Sequence, residues 1–263
     1  MLTLGIASAT THVVNQTAPA CIAGDAYYAT IQAAVTAANP LDTIIVCPGT
    51  YQETVDVTKS DIVIKAFNET KPVVSANGAS DHVFNITNRT NVTLQGFKIM
   101  NATGTNQSVA GIYMFNASEC NISDNFVTNI SATGGYIACG VWLNASDNNI
   151  FKNISMPEGI SSGGAACGLY LESSNNNSFT DTTISNVAGE YMAAGIGLFA
   201  SNNNTFDPTE IENVNGGYTA AGVYFNYYAN YNDFSATKVH DISSSLQPEN
   251  SLDSTSWSHP LTM

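Results

Sequence analysis

The chain has 263 residues, enough for one sizeable core, and its 44% hydrophobic and 10% aromatic content excludes wholesale disorder. Seven basic against 21 acidic residues give a net charge of -14, which excludes binding to a phosphate backbone. Only 11% of residues are charged while Asn, Ser and Thr fill 82 positions, so the surface is polar through amides and hydroxyls, and no run of about twenty apolar residues could span a membrane.

Residues 2–9 read LTLGIASA, the pattern of an apolar signal segment ending in Ala7-Ser8-Ala9. No basic region precedes it, so residues 1–20 read as a residual signal segment or an N-terminal extension. Cys21 and Cys47 flank a short helical segment and are the candidate disulfide pair, a staple that fits an exported chain. Between them TIQAAVTAA (30–38) has helix spacing, with Ile31, Ala34, Val35 and Ala38 on one face, and Asn39-Pro40 ends it. A helix there would cover the open first coil of whatever follows. Irregular strand alternation then runs through 61–66, 72–76, 82–86 and 91–99.

From residue 111 the chain repeats itself. Gly111, Gly140, Gly168, Gly195 and Gly222 are spaced by 29, 28, 27 and 27 residues. One residue after each glycine stand Ile112, Val141, Leu169, Ile196 and Val223; three after stand Met114, Leu143, Leu171, Leu198 and Phe225. Ile122, Phe151, Phe179 and Phe206 form a further apolar row, with Phe234 displaced by one. Pairs such as Val127/Ile130, Ile184/Val187 and Ile211/Val214 follow, a pattern that Met156, Pro157 and Gly159 interrupt. Spacing of two with Val, Ile, Phe, Tyr and Thr specifies strands, not helices. A unit this small cannot bury its own apolar face, so the copies must stack in parallel register at about 4.8 Å per coil. Asn149, Asn177 and Asn204 share one turn position, where the sequence places a left-handed corner and amides bonded from coil to coil. The fold class is therefore all-β: a single-stranded right-handed parallel β-helix over 21–242, with a capping helix near 30–38. Residues 243–263, rich in Ser and carrying Pro248, Trp257 and Pro260, read as a C-terminal tail or partial cap.

The string TIQAAVTAANPLDTIIVCPGTYQETV (30–55) resembles the entry segment of pectate-lyase-like right-handed β-helix proteins. The repeats resemble the carbohydrate-binding and sugar-hydrolase β-helix class, NosD-like proteins included, of the kind found in exported archaeal and bacterial surface proteins. The resemblance covers residues 21 to about 242. It implies the fold; the class spans lyases, hydrolases, epimerases, esterases and surface proteins without activity.

The residues required by those chemistries do not assemble in the sequence. A lyase needs a strong base and often clustered acids for Ca²⁺; from residue 111 on, only Lys152 and Lys238 are available. A hydrolase needs two facing carboxylates. Asp124 and Asp181 share a repeat position but Asn153 separates them, and Asp147, Glu172, Asp207, Glu210 and Glu212 fall on turns that do not converge. The four histidines, His12, His82, His240 and His259, lie in unrelated repeat phases, and no His/Cys pair has ligand spacing. The sequence thus assigns no catalytic residue, no metal and no cofactor.

What it does offer is an outward row two residues after each glycine: Tyr113, Trp142, Tyr170, Gly197 and Tyr224. Such a ladder is covered by a following loop, or contacts a protein, or stacks on sugar rings. Tyr136, Tyr191 and Tyr218 form a second row, and Tyr227, Tyr228 and Tyr231 crowd the last coil. Cys139 and Cys167, at equivalent positions, either bond across coils or stack as small apolar groups; Cys120 is left free. Fourteen Asn-x-Ser/Thr sequons, against roughly six from composition alone, make Asn68, Asn101, Asn106, Asn116 and Asn144 glycosylation candidates. The expectation is a secreted, cell-surface, non-catalytic β-helix acting in envelope structure, adhesion or self-assembly. Its partners would be itself, other surface proteins or glycans. The alternative is a polysaccharide-binding or polysaccharide-cleaving protein, a lyase or hydrolase.

Overall fold

A computed structural model describes residues 8–17 and 19–245. The signal-like residues 1–7 and the tail from 246 onward, with Trp257 and His259, lie outside them. The chain winds through about eight turns, and every strand pair is parallel. Successive turns build three sheets, here called first, second and third in the order that each coil visits them; Thr43–Val46, Thr50–Gln52 and Val55–Asp56 are the first strands to visit all three. The fold is thus an all-β, right-handed parallel β-helix.

The first sheet already begins at Thr11–Val14, inside the span that the sequence assigned to an extension, and that strand pairs with Thr43–Val46. Its side chains Val13 and Val14 are fully buried, which is why an apolar pair so close to the N-terminus belongs to the solenoid. The helix is Ile31–Ala37. The Thr30 hydroxyl accepts from the Ala33 N–H, and the Glu53 carboxylate takes the N–H groups of Ile31 and Gln32. Ile31, Ala34 and Val35 are buried against the open first rungs, so the helix closes that end as expected. Cys21 and Cys47 are bonded to each other beside it.

The glycine-phased rows stack in one interior column. Ile112 pairs with Val141, Val141 with Leu169, Leu169 with Ile196, and Ile196 with Val223. Phe151, Phe179, Phe206 and Phe234 stack nearly face to face, with centroids 4.5, 5.0 and 4.8 Å apart. The interrupted copy rejoins the pattern: Ile160 sits in register between Ile130 and Val187 after a bulge at Gly159, whose φ is +78°.

The glycines themselves mark a narrow point of the core. A Cβ on Gly168 would stand 2.3 Å from Ile184 Cγ2 and 2.7 Å from the Gly195 carbonyl oxygen; Gly195 meets Ile211 and Gly222 the same way. The glycine is skipped in the pairing, so each third-sheet strand carries an aligned bulge there. Glycine's missing side chain, rather than its backbone freedom, fixes the 27–29-residue phase.

Buried asparagines lock one corner. The Asn177 Oδ1 accepts from both the backbone N–H and the Nδ2 of Asn149, while its own Nδ2 donates to the Ser146 carbonyl. Asn204 serves Asn177, and Asn232 serves Asn204, in the same way. The left-handed residues are not these but their predecessors, Asn148, Asn176 and Asn203, at φ of 59°, 56° and 55°. The sequence reading placed the corner one residue too late, because the run of asparagines hides which one bends and which one points inward.

Two substitutions test this packing. Gly168→Ala forces the second and third sheets apart and should cost about 3 kcal/mol, read as a lower urea midpoint. Asn177→Ala strands several buried donors and acceptors and should cost a further, independent amount of about 3 kcal/mol. Near-neutral values for both would mean that the coils do not sit in this register.

Candidate functional site

The aromatic row lies on the outer face of the third sheet. Tyr113, Trp142 and Tyr170 are cross-strand neighbours, with ring centroids 5.2 and 5.7 Å apart. All three and Tyr224 are half-buried. They rest on a bed of small residues one position before each glycine, Ala110, Cys139, Cys167 and Ala194, which are sealed from solvent beneath them. The glycine bulge makes this possible: the glycine and the residue after it both face the core, so the residue before the glycine and the ring two residues after it share the outer face. At Gly197 the row has no side chain, and the Tyr170 ring occupies the space, 3.1 Å from where a Cβ would stand.

Cys139 and Cys167 are register neighbours and both are free thiols. Burial, reinforced by the adjacent Cys167 thiol, pushes the Cys139 thiol well above its ordinary range. Such a thiol stays protonated and unreactive, so the pair acts as apolar packing. Cys120 is likewise free and buried, its thiol raised to about 11 mainly by burial.

Sequence reasoning missed His82. Its ring stacks on Tyr113 at 4.2 Å and meets Trp142 edge-on at 6.3 Å, extending the row by one member. Nδ1 accepts the Ala110 N–H, so the ring is held neutral with its proton on Nε2. The signal lay 28 residues upstream of Ala110, in a rung without the marker glycine. Burial lowers the His82 pKa, partly opposed by Asp81 and Asp56. On the other flank, Glu172 accepts a hydrogen bond from Asn144. Burial first, and the Glu172 charge second, raise the phenols of Tyr113 and Tyr170.

The remaining candidates disperse. Lys152 is exposed on the first sheet, away from Trp142 and Tyr170. Asp124 is a corner residue at φ 58°, hydrogen-bonded by Gln95 and Asn153, which hold its carboxyl below the usual value. Asp181 and Asn153 occupy the same kind of corner. Asp147 accepts from the Asn175 backbone and side chain. His12 is buried between Asp42 and Tyr28, a structural tie in the first rung. One expectation is overturned: Glu210 and Glu212 do converge. They stand on the outer face of the second sheet opposite Lys238 and His240, and the His240 Nε2 lies 3.6 and 3.9 Å from their carboxylates. Alternate residues of one strand share a face, which turn assignments obscured. Among the described residues no group of three His, Cys, Asp or Glu side chains is arranged to hold a metal ion.

A shallow groove of about 690 Å³ runs along the outer end of the second sheet, lined by Ser131, Ser162, Gly189, Glu190, Gly216 and Ser244. Tyr191 and Tyr218, both exposed and stacked at 5.2 Å, follow directly on its wall residues Glu190 and Gly217.

The sequons acquire a structural cause. Nine of the fourteen sequon asparagines have positive φ, so corner geometry selects Asn there regardless of any glycan. At Asn101, Asn116 and Asn144 the side-chain nitrogen is engaged, with Ser75, Asn88 and Glu172 respectively. Asn68 and Asn106 are exposed on turns.

No protein-family description matches the chain, and no curated protein resembles it. Solved structures with a similar backbone course do exist. A pectin methylesterase crystallised with a hexasaccharide is 11% identical, with 83% of this chain and 81% of that one covered at a TM-score of 0.42. A pectate lyase is 16% identical over 95% and 82%, at 0.39. An alginate lyase from a Paenibacillus species is 12% identical over 79% and 96%, at 0.37. At these identities the likeness concerns the winding of the backbone and carries no statement about activity.

The His82 geometry makes a pH prediction. With its pKa depressed on folding, the imidazole contributes its stabilisation fully above the ordinary value of 6.5 and loses it as pH falls through the lowered one. Near-UV circular dichroism from Tyr113 and Trp142 should therefore drop on acidification below pH 6.5 while far-UV signal holds. His82→Phe should abolish that step; its persistence would assign the transition elsewhere.

Proposed function

We propose that this chain is a non-catalytic, exported β-helix that works by surface contact, in envelope structure, adhesion or assembly, through the outer face of its third sheet. The observation that carries the reading is the half-exposed Tyr113–Trp142–Tyr170 ladder on its sealed bed of Ala and Cys side chains. A row of rigid rings offers much contact area at little entropic cost. The disulfide at Cys21–Cys47 favours an oxidising compartment. The ionisable side chains beside the row are Glu172 and His82, and the His82 Nδ1 is taken by the Ala110 N–H while Lys152 stands on another sheet, which supports a contact surface. Glycosylation, where it occurs, is assigned to Asn68 and Asn106.

A second reading, glycan binding, draws on a different feature: the Ser- and Gly-lined groove, with Glu190 as its one acid, beside the Tyr191–Tyr218 stack. Hydroxyl-rich walls with exposed rings suit sugars without negative charge.

The two readings separate by mutation. Trp142→Ala with Tyr170→Ala should weaken partner binding at least about tenfold with an unchanged far-UV spectrum, whereas Tyr191→Ala with Tyr218→Ala should leave it intact. The opposite pattern, measured against cell-surface extracts and a glycan array, would move the function to the groove. Unchanged binding in both variants would remove the aromatic faces from the account.

A further inference from the structure

The third sheet differs from the other two in charge. None of the seven Lys and Arg residues lies on its strands, whereas Lys65 and Lys152 stand on the first sheet and Lys98 and Lys238 on the second. Its strands carry two acids, Asp56 and Glu172. Asp56 accepts a hydrogen bond from the Asn85 side chain. Glu172 is half-buried and stands two residues after Tyr170 on one strand. Carboxylate and ring therefore share the outer face, about 7 Å apart at Cα. The Glu172 Oε2 accepts from the Asn144 Nδ2 at 3.2 Å, and among the described residues Oε1 accepts no hydrogen bond. Ion pairs among the described residues belong to His12 and His240 alone, so no cation faces this carboxylate. Its charge reaches both the Tyr113 and the Tyr170 phenol, which burial first and then Glu172 raise. The next rung sets Gly197 beside Tyr170, so no side chain of the row stands on that flank of the ring.

We propose that this part of the face receives an arginine side chain of a basic partner protein, its guanidinium laid against the Tyr170 and Trp142 rings and turned to the open Glu172 oxygen. The inference rests on the third-sheet contact reading and names the partner's chemistry. A half-buried carboxylate without a cation has lost water and gained little in return. An aromatic face attracts a cation through its ring quadrupole. A guanidinium meets both demands at once, because it is flat, stacks on rings and presents paired N–H groups to a carboxylate. The net charge of -14 draws a basic partner and repels a second copy. A second copy also has little to offer: the chain's one arginine, Arg89, is tied through its Nε–H to the Val57 carbonyl.

The probe is a capped peptide of alternating Arg and Gly, titrated into the full chain by calorimetry. It should bind at least about fivefold more tightly than its Lys counterpart, and the uncharged citrulline counterpart should not bind. Glu172→Gln should weaken binding about tenfold with the far-UV spectrum kept, and Tyr170→Ala should weaken it too. Glu190→Gln, which removes the same charge from the groove, should leave it unchanged. Equal losses in the two Glu variants, or equal affinity for the Arg and Lys peptides, would overturn the proposal. If Trp142→Ala with Tyr170→Ala weakens capture of a cell-surface partner while Glu172→Gln does not, the contact reading stands and the arginine proposal falls. Self-association that Tyr170→Ala abolishes, seen by sedimentation, would give the face to a second copy instead.

Discussion

Everything in this molecule follows from how closely the second and third sheets approach at the glycine row. The space left between Ile184 and the Gly195 carbonyl at Gly168 admits no side chain, and the same holds one rung on at Gly195. From Gly111 onward a glycine therefore recurs once per turn, whereas the preceding rung has Val83 at the equivalent place. Because it recurs, each third-sheet strand bulges at the same height, and the residues on either side of the bulge stay in register with those above and below. The interior column of Ile112, Val141, Leu169 and Ile196 and the outer aromatic row are two products of one steric condition.

The corners impose a second condition that reaches into composition. Each turn needs a residue in the left-handed region, and Asn adopts it at the lowest cost among side-chain-bearing residues. Its neighbour needs an amide that can accept two hydrogen bonds and donate two inside the stack, which again selects Asn. The wealth of Asn, the polar but uncharged surface and much of the sequon excess thus arise from folding. Export is supported more directly by the bonded Cys21 and Cys47 than by the sequons.

The fold was legible because it repeats. Five glycines and two flanking apolar rows give the coil length, the sheet that faces inward and the parallel register without any long-range guess. The helix cap was legible from the spacing of Ile31, Ala34, Val35 and Ala38 and from Asn39-Pro40. The site was only half legible. Parity alone puts Tyr113, Trp142 and Tyr170 outward, yet parity breaks at the glycine bulge, so the Ala and Cys bed beneath the rings went unread. Whether Cys139 and Cys167 were bonded or merely stacked depended on that same local geometry. His82 was hidden because its rung lacks the marker glycine. The meeting of Glu210, Glu212 and His240 was hidden because it joins residues one coil apart whose phase had already slipped by one.

The central claim, that the rungs sit directly above one another, is most directly tested by a distance along one column. Thr93 and Thr205 lie on the outer face of the first sheet, linked through Asn121, Ile150 and Ser178. Four steps separate them, so spin labels there, read by pulsed electron–electron resonance, should give a narrow distribution near an underlying Cα separation of about 19 Å. A broad distribution, or one centred far beyond that span, would contradict the stacked solenoid.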